Sequence, residues 1–281
     1  MSIRFKKIIA LMITLNFASH VNASSDYQCN EGDPQCTFVL LSEYKSDVKI
    51  DKTRIIDNEK SVLVTINDKR AHTAFSPYST FKIANTLIGL EAGIIQNSQQ
   101  VLNYDKTKYP AAPWWPPVWK LPEYNLASAF KYSMVPIYRQ LAENIGEQKM
   151  QQYVTKFTYG NRDISSQLDN FWLNGSLKIS AVEQVKFLQK VYNNHLALNE
   201  NSLTTLKEVM LVAANDEYKL YAKTGAGKTN DKTMLGWYIG FVENKSGVHY
   251  FAFNINRKKY NELKAVRVNT AMAQLKLAGV I

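Results

Sequence analysis

Pro77-Tyr78-Ser79-Thr80-Phe81-Lys82-Ile83-Ala84-Asn85-Thr86-Leu87-Ile88 opens the first strongly helical passage of the chain, which reaches a natural stop at Gly93. Phe81, Ala84, Leu87 and Ile88 recur at three- and four-residue steps, the spacing of one apolar helix face, so a helix is expected to open around Ser79. Upstream the periodicity differs. Thr37 to Leu41 and Ser61 to Ile66 are short apolar runs of the strand type, the second closing on the turn-like Asn67-Asp68. The Ser79 helix therefore marks the point where the chain leaves a sheet.

Downstream, Leu126 to Phe130 and Ile137 to Ile145 read as two more helices separated by Ser133-Met134-Val135, with Pro136 suited to a first helical turn. Ser180 and Glu183 form a capping-box pattern for a helix running to about Tyr192. Three strands follow, Tyr218 to Lys223, Met234 to Val242 and Val248 to Asn256, the last two joined by a hairpin over Asn244 to Gly247, and an amphipathic helix is expected from about Leu263 to Ala278. Strands first and last with helices between them predict an α/β (α+β) fold. In it, a mainly antiparallel sheet subdomain, about 24–78 and 193–281, is interrupted by a helical subdomain, about 79–192.

The first 23 residues read as a secretory leader: Arg4, Lys6 and Lys7 precede a mostly apolar stretch from Ile8 to Ala18, and Val21-Asn22-Ala23 suits cleavage. That stretch is too short to cross a bilayer as a helix, and no other segment has the length of a span. A soluble mature chain in the periplasm is the expectation. Cys29 and Cys36, the two cysteines, follow the cleavage point, where an oxidising compartment permits a disulfide; two free thiols are the alternative. His72, His195 and His249 stand apart from one another, so no metal is expected; no organic cofactor is expected either. The formal charge of +10 is spread along the chain and reads as a solvated basic surface, not a nucleic-acid site. With 46% apolar residues, the chain can bury a full-sized core as one catalytic domain over 24–281.

Chemistry enters at Ser79 and Lys82. Residues three apart at a helix start share a face, so the hydroxyl and the amine come within proton-transfer reach. A serine becomes a nucleophile only when a base takes its proton. A lysine does so only if an apolar pocket keeps it uncharged or if the amine has been converted into another base. Lys223-Thr224-Gly225 directly follows a predicted strand; it offers a cation, a hydroxyl and a close backbone approach for a carboxylate-bearing substrate. Ala222 to Thr229, read A-K-T-G-A-G-K-T, also resembles a phosphate-binding loop, but Asn230-Asp231 and a strand follow where such a loop needs a helix. Gly227-Lys228-Thr229 is read instead as the turn between two strands. The run Pro110 to Trp119, crowded with proline and tryptophan, must be an irregular loop that either caps the helices or faces a ligand.

Four motifs in order, Ser79-Thr80-Phe81-Lys82, Ser133-Met134-Val135, Tyr159-Gly160-Asn161 and Lys223-Thr224-Gly225, resemble the pattern of the class D (oxacillinase-type) serine β-lactamases. Asp163-Ile164-Ser165, Phe171-Trp172-Leu173-Asn174-Gly175 and Leu177-Lys178-Ile179-Ser180 extend the likeness over nearly the whole chain from about Thr37. The resemblance implies the β-lactamase/transpeptidase-like fold and a small-molecule β-lactam as substrate. It implies Ser79 as the acylated nucleophile, Lys82 as a lysine carboxylated by carbon dioxide, and Ser133 as a relay towards the leaving nitrogen. Val135 would pack over the modified lysine and Trp172 would hydrogen-bond to it. Lys223, Thr224 and Arg267 would hold the substrate carboxylate, with Arg257 as the fallback arginine, and the N–H groups of Ser79 and Ala226 would form the oxyanion hole.

Three departures stand out. Tyr78 precedes the serine where the family commonly has a small residue, Ala84 replaces a frequent proline, and Asn103-Tyr104-Asp105 with the tryptophan run replaces the usual passage before Ser133. The same motifs also occur in β-lactam sensors and in cell-wall peptidases that are acylated but turn over poorly.

Overall fold

A computed structural model describes residues 27–45, 56–58 and 61–281. The stretch 1–23, read from the sequence as a leader, lies outside the described residues. In chain order the elements are β1 (Cys36–Tyr44), β2 (Ile56–Asn58), β3 (Ser61–Ile66), α1 (Asp68–Ala71), a 3-10 turn over Tyr78–Phe81, α2 (Lys82–Glu91), a second 3-10 turn over Pro117–Trp119, α3 (Leu126–Lys131) and α4 (Val135–Ile145). Then come α5 (Glu147–Lys156), α6 (Ala181–Tyr192), α7 (Glu200–Met210), β4 (Leu211–Ala214), β5 (Tyr218–Lys228), β6 (Met234–Asn244), β7 (Gly247–Arg257) and α8 (Tyr260–Leu277).

The strands form a seven-stranded sheet in the order β2-β3-β1-β7-β6-β5-β4, with each adjacent pair antiparallel. Its two faces bury different clusters. On one, Phe38, Leu40, Phe251 and Phe253 meet Leu263, Ala271 and Leu275 of α8. On the other, Val39, Leu41, Trp237 and Tyr250 join Phe81, Leu87, Trp172 and Phe187 in one continuous core, which binds the helical layer to the sheet. Cys29 and Cys36 form a disulfide beside α8's cluster, settling the alternative left open by the sequence.

Local signals account for several boundaries. Asn125 accepts from Ser128 N–H at the start of α3, and Ser180 and Glu183 cap α6 reciprocally as the sequence suggests. Three helices, the short α1 and the longer α5 and α7, have no counterpart in the sequence reading. α5 sets Met150, Tyr153 and Val154 on one face, and α7 sets Leu203, Leu206, Val209 and Met210 inward together with Ser202 and Thr205, so both carry a helical stripe that the sequence reading passed over. Ser202 Oγ is satisfied by Glu91 Oε1 at 2.6 Å. α7 falls within the span assigned to the sheet part, yet packs on α2 and α3.

Two corrections concern the site. The helix expected to open around Ser79 begins as a 3-10 turn and becomes α-helical only at Lys82. β5 does not end at Lys223 but continues through Lys228, so the turn lies at 229–233, closed by Thr229 N–H to Thr233 O at 2.8 Å, and not at Gly227-Lys228-Thr229. The extra length comes from Gly225 and Gly227, whose missing side chains let the strand pass against the Ser79 turn. A strand then follows where a phosphate loop would need a helix.

Candidate active site

Ser79 lies in the 3-10 turn, where positions three apart eclipse each other, and this sets Lys82 directly over it. Lys82 Nζ donates to Ser79 Oγ at 3.2 Å. The lysine is sealed, with its ammonium 4.8 Å from the centre of the Tyr138 ring. Burial without a carboxylate lowers its pKa to about 7, so near neutral pH much of it is an uncharged amine.

Beneath the turn, Phe81 stacks on Trp172 with ring centroids 5.4 Å apart and meets Tyr159 and Phe171 edge-on. The Trp172 carbonyl accepts the Tyr78 N–H at 3.0 Å. Its indole Nε1–H is fully buried and has no hydrogen-bond partner among the described residues. A donor of this kind is costly to leave unpaired.

Tyr159-Gly160-Asn161 secures the loop that carries Trp172. Asn161 Oδ1 accepts Lys178 N–H, Asn161 N–H reaches Lys178 O at 2.9 Å, and its amide donates to Ser176 O. Gly160 has φ +54°, and a Cβ there would lie 2.0 Å from Lys178 O. Gly160→Ala is therefore expected to destabilise the fold by about 2–4 kcal/mol, read as a lowered urea midpoint; an unchanged midpoint would refute the packing role.

The opposite wall is β5. Lys223 Nζ donates to Ser133 Oγ and, at 3.0 Å, to Thr224 O. Ser133 has φ +55°, a left-handed conformation uncommon for serine, at the junction of α3 and α4, and it turns its hydroxyl to the lysine. Burial first, then the positive charges of Lys82 and Arg267, hold Lys223 well below the usual lysine range. Arg267 Nη1 reaches Gly225 O at 2.9 Å from α8, while its Nε has no partner among the described residues. Arg257 instead covers the Tyr27 ring at 4.1 Å and lines no part of the cleft, which favours Arg267 over the fallback.

These walls enclose a cavity of about 710 Å³ that Ser79, Ser133, Val135, Thr224, Ala226 and Arg267 all line. β4 pairs with β5 only as far as Tyr221, so the edge of β5 beyond it faces the cavity. Lys131, Lys264 and Arg267 contribute positive charge and no carboxylate lines it, which suits an anionic ligand. The tryptophan run divides between the core and the cavity. Trp115 is buried among its neighbours, whereas Trp114, 72% exposed, and Trp119 stand at the cavity rim.

Residues 38–275 match the family model of the penicillin binding protein transpeptidase domain. The chain is 43% identical over 192 residues to β-lactamase OXA-48 of Klebsiella pneumoniae, covering 68% of this chain and 70% of that one. The chain belongs to the class D β-lactamases. It is likewise 39% identical to OXA-10 of Pseudomonas aeruginosa over 66% of this chain and 69% of that one. The solved class D β-lactamase FUS-1 (OXA-85) of Fusobacterium nucleatum subsp. polymorphum superposes with a TM-score of 0.74 at 32% identity, covering 87% and 93% of the two chains. The protein is thus a serine β-lactamase with the β-lactamase/transpeptidase fold.

All ten predicted site residues of this class D enzyme lie in or around one cleft. Sequence reasoning missed Tyr138 under Lys82, Phe130 with its ring 5.6 Å from Lys223 Nζ, and Lys131, Tyr260 and Lys264 on the cavity wall. The first two sit on the inward faces of α4 and α3, where an aromatic reads as ordinary core.

Proposed function

We propose that this class D enzyme hydrolyses penicillin-type β-lactams, conferring antibiotic resistance, through acylation of Ser79 with Lys82 as its N-carboxylated general base. What carries the reading is a buried lysine beside Ser79 whose pKa falls to about 7, with an unpartnered Trp172 N–H whose ring stacks on the same turn. The residues fit the modification: only a neutral amine reacts with carbon dioxide, Trp172 offers a donor, and the apolar Val135 lines the cavity. When formed, the carbamate supplies an anionic base for Ser79 in acylation and for water in deacylation.

The remaining roles follow from polarity. Ser133 Oγ accepts from Lys223 Nζ, which leaves its own O–H to protonate the leaving ring nitrogen. Lys223, Thr224 and Arg267 gather a carboxylate at one end of the cleft, while the N–H groups of Ser79 and Ala226 face the acyl oxygen as it gains charge. We further propose export to the periplasm by the leader over 1–23. The Cys29–Cys36 disulfide suits that oxidising compartment.

The test combines bicarbonate with Trp172→Phe, which keeps an aromatic against Phe81 but removes the N–H. A lost hydrogen bond to a charged group amounts to about 1.5–3 kcal/mol, so the variant should need roughly ten- to hundredfold more bicarbonate for half-maximal turnover. Because the amine is protonated below its pKa of about 7, parent activity at limiting carbon dioxide should fall as pH drops from 8 to 6. Equal bicarbonate dependence in the two proteins, measured with a chromogenic cephalosporin, would refute the Trp172 role. A single stoichiometric burst without turnover would refute the hydrolase reading.

A further inference from the structure

Tyr78 occupies a place that neither the proton transfers nor the carboxylate site explains. It is 3% exposed, has φ +49°, and directly precedes the nucleophile. Its N–H is tied to Trp172 O at 3.0 Å and its hydroxyl donates to Lys228 O at 2.9 Å, so the side chain bridges from the Ser79 turn to the far end of β5. The ring fills the volume opposite Gly227, where an added Cβ would lie 1.9 Å from it. Alternation along β5 puts Lys223, Gly225 and Gly227 on the face towards the turn. Gly225 meets the turn backbone, and Gly227 meets Tyr78.

Two cavities adjoin this turn. Ser79 and Ala226 line the cleft of about 710 Å³, whereas Tyr78 and Lys228 line a second cavity of about 450 Å³ with Phe75, Ser76, Asn174 and Thr229. On both walls, then, residues one or two positions apart belong to different spaces, and Tyr78, seated on Gly227, lines the second cavity next to the Ser79 that lines the cleft. The direction of substrate binding gives the partition a consequence. A β-lactam whose carboxylate is held near Lys223 and Arg267, with its acyl oxygen at Ala226, must extend its acyl side chain away from that anchor. The continuation along β5 leads to Gly227 and Lys228, where Tyr78 stands.

Resting on the hydrolase reading above, we propose that Tyr78 is a specificity-determining wall that ends the acyl side-chain subsite. It limits how far a penicillin's side chain can reach, and its removal joins the second cavity to the cleft.

The experiment measures kcat/KM for benzylpenicillin and for piperacillin, which share a nucleus and differ in the length of the acyl side chain, in the parent, Tyr78→Phe and Tyr78→Ala. In Tyr78→Ala the piperacillin-to-benzylpenicillin ratio should rise about tenfold or more, the scale on which pocket shape discriminates substrates. Tyr78→Phe, which keeps the ring, should retain the parent ratio. Because the ratio is internal to each protein, a general loss of stability or active fraction does not move it. If Tyr78→Ala lacks a cooperative thermal transition, Tyr78→Leu carries the test with the same prediction. An unchanged ratio in a variant that still hydrolyses benzylpenicillin would overturn the wall and leave the hydrolase reading intact. A parent protein that hydrolyses neither penicillin would overturn both.

Discussion

Ser79→Ala is expected to lower kcat/KM for any β-lactam by about 10⁴-fold or more, and to abolish the covalent adduct seen in intact-protein mass spectra. The hydroxyl is the single group on the cavity floor placed both to attack a carbonyl and to pass its proton to Lys82 Nζ, 3.2 Å away. Binding should survive, because the carboxylate end of the cleft is built by β5 and α8 and is untouched. The residual rate would come from substrate orientation and oxyanion donors, which act without a nucleophile. The fold should tolerate the change, since alanine is smaller and asks nothing of the 3-10 turn. A variant that kept a tenth of the parent rate, or still formed the adduct, would remove Ser79 from the role.

Legibility followed locality. The Ser79–Lys82 pair could be read because three-residue spacing brings two side chains together in either a 3-10 turn or an α-helix. The capping of α6 was legible for the same reason. The Lys223–Ser133 contact was not a matter of spacing: it needs a serine at φ +55° and a strand that continues past its first glycine. Motif order pointed to it, but its geometry came from tertiary packing. α7 carries a legible stripe in Leu203, Leu206, Val209 and Met210, but its buried Ser202 and Thr205, the first satisfied by Glu91, interrupt it with residues that ordinarily face water. Tyr78 was visible as a departure, yet its partner Gly227 lies far along the chain, and no local pattern links a bulky residue before the nucleophile to a glycine on β5.

Lys82→Ala should act on both halves of the reaction, and so differ in kind from Ser79→Ala. General-base assistance contributes about 10²–10⁴ to a proton-transfer step. Acylation needs a base to accept the Ser79 proton, and deacylation needs one to activate water at the same carbonyl. With the side chain gone, Ser79 Oγ loses its hydrogen-bonded basic partner. Acylation by a strained ring can still proceed slowly, since the lactam is intrinsically reactive and Ser133 remains able to protonate the leaving nitrogen. Hydrolysis of the resulting ester has no such help. Turnover should therefore fall by about 10⁴-fold while the acyl-enzyme accumulates to one equivalent, stable for hours by intact mass, and added bicarbonate should no longer stimulate. Lys82→Arg should not rescue, because a guanidinium stays protonated where burial brings the lysine pKa to about 7. Accumulation of the adduct would place Lys82 at deacylation as well as acylation. A variant that turned over freely without accumulating it would move the base to another group. Lys223, also held well below the usual lysine range and in contact with Ser133, would be the residue to replace next.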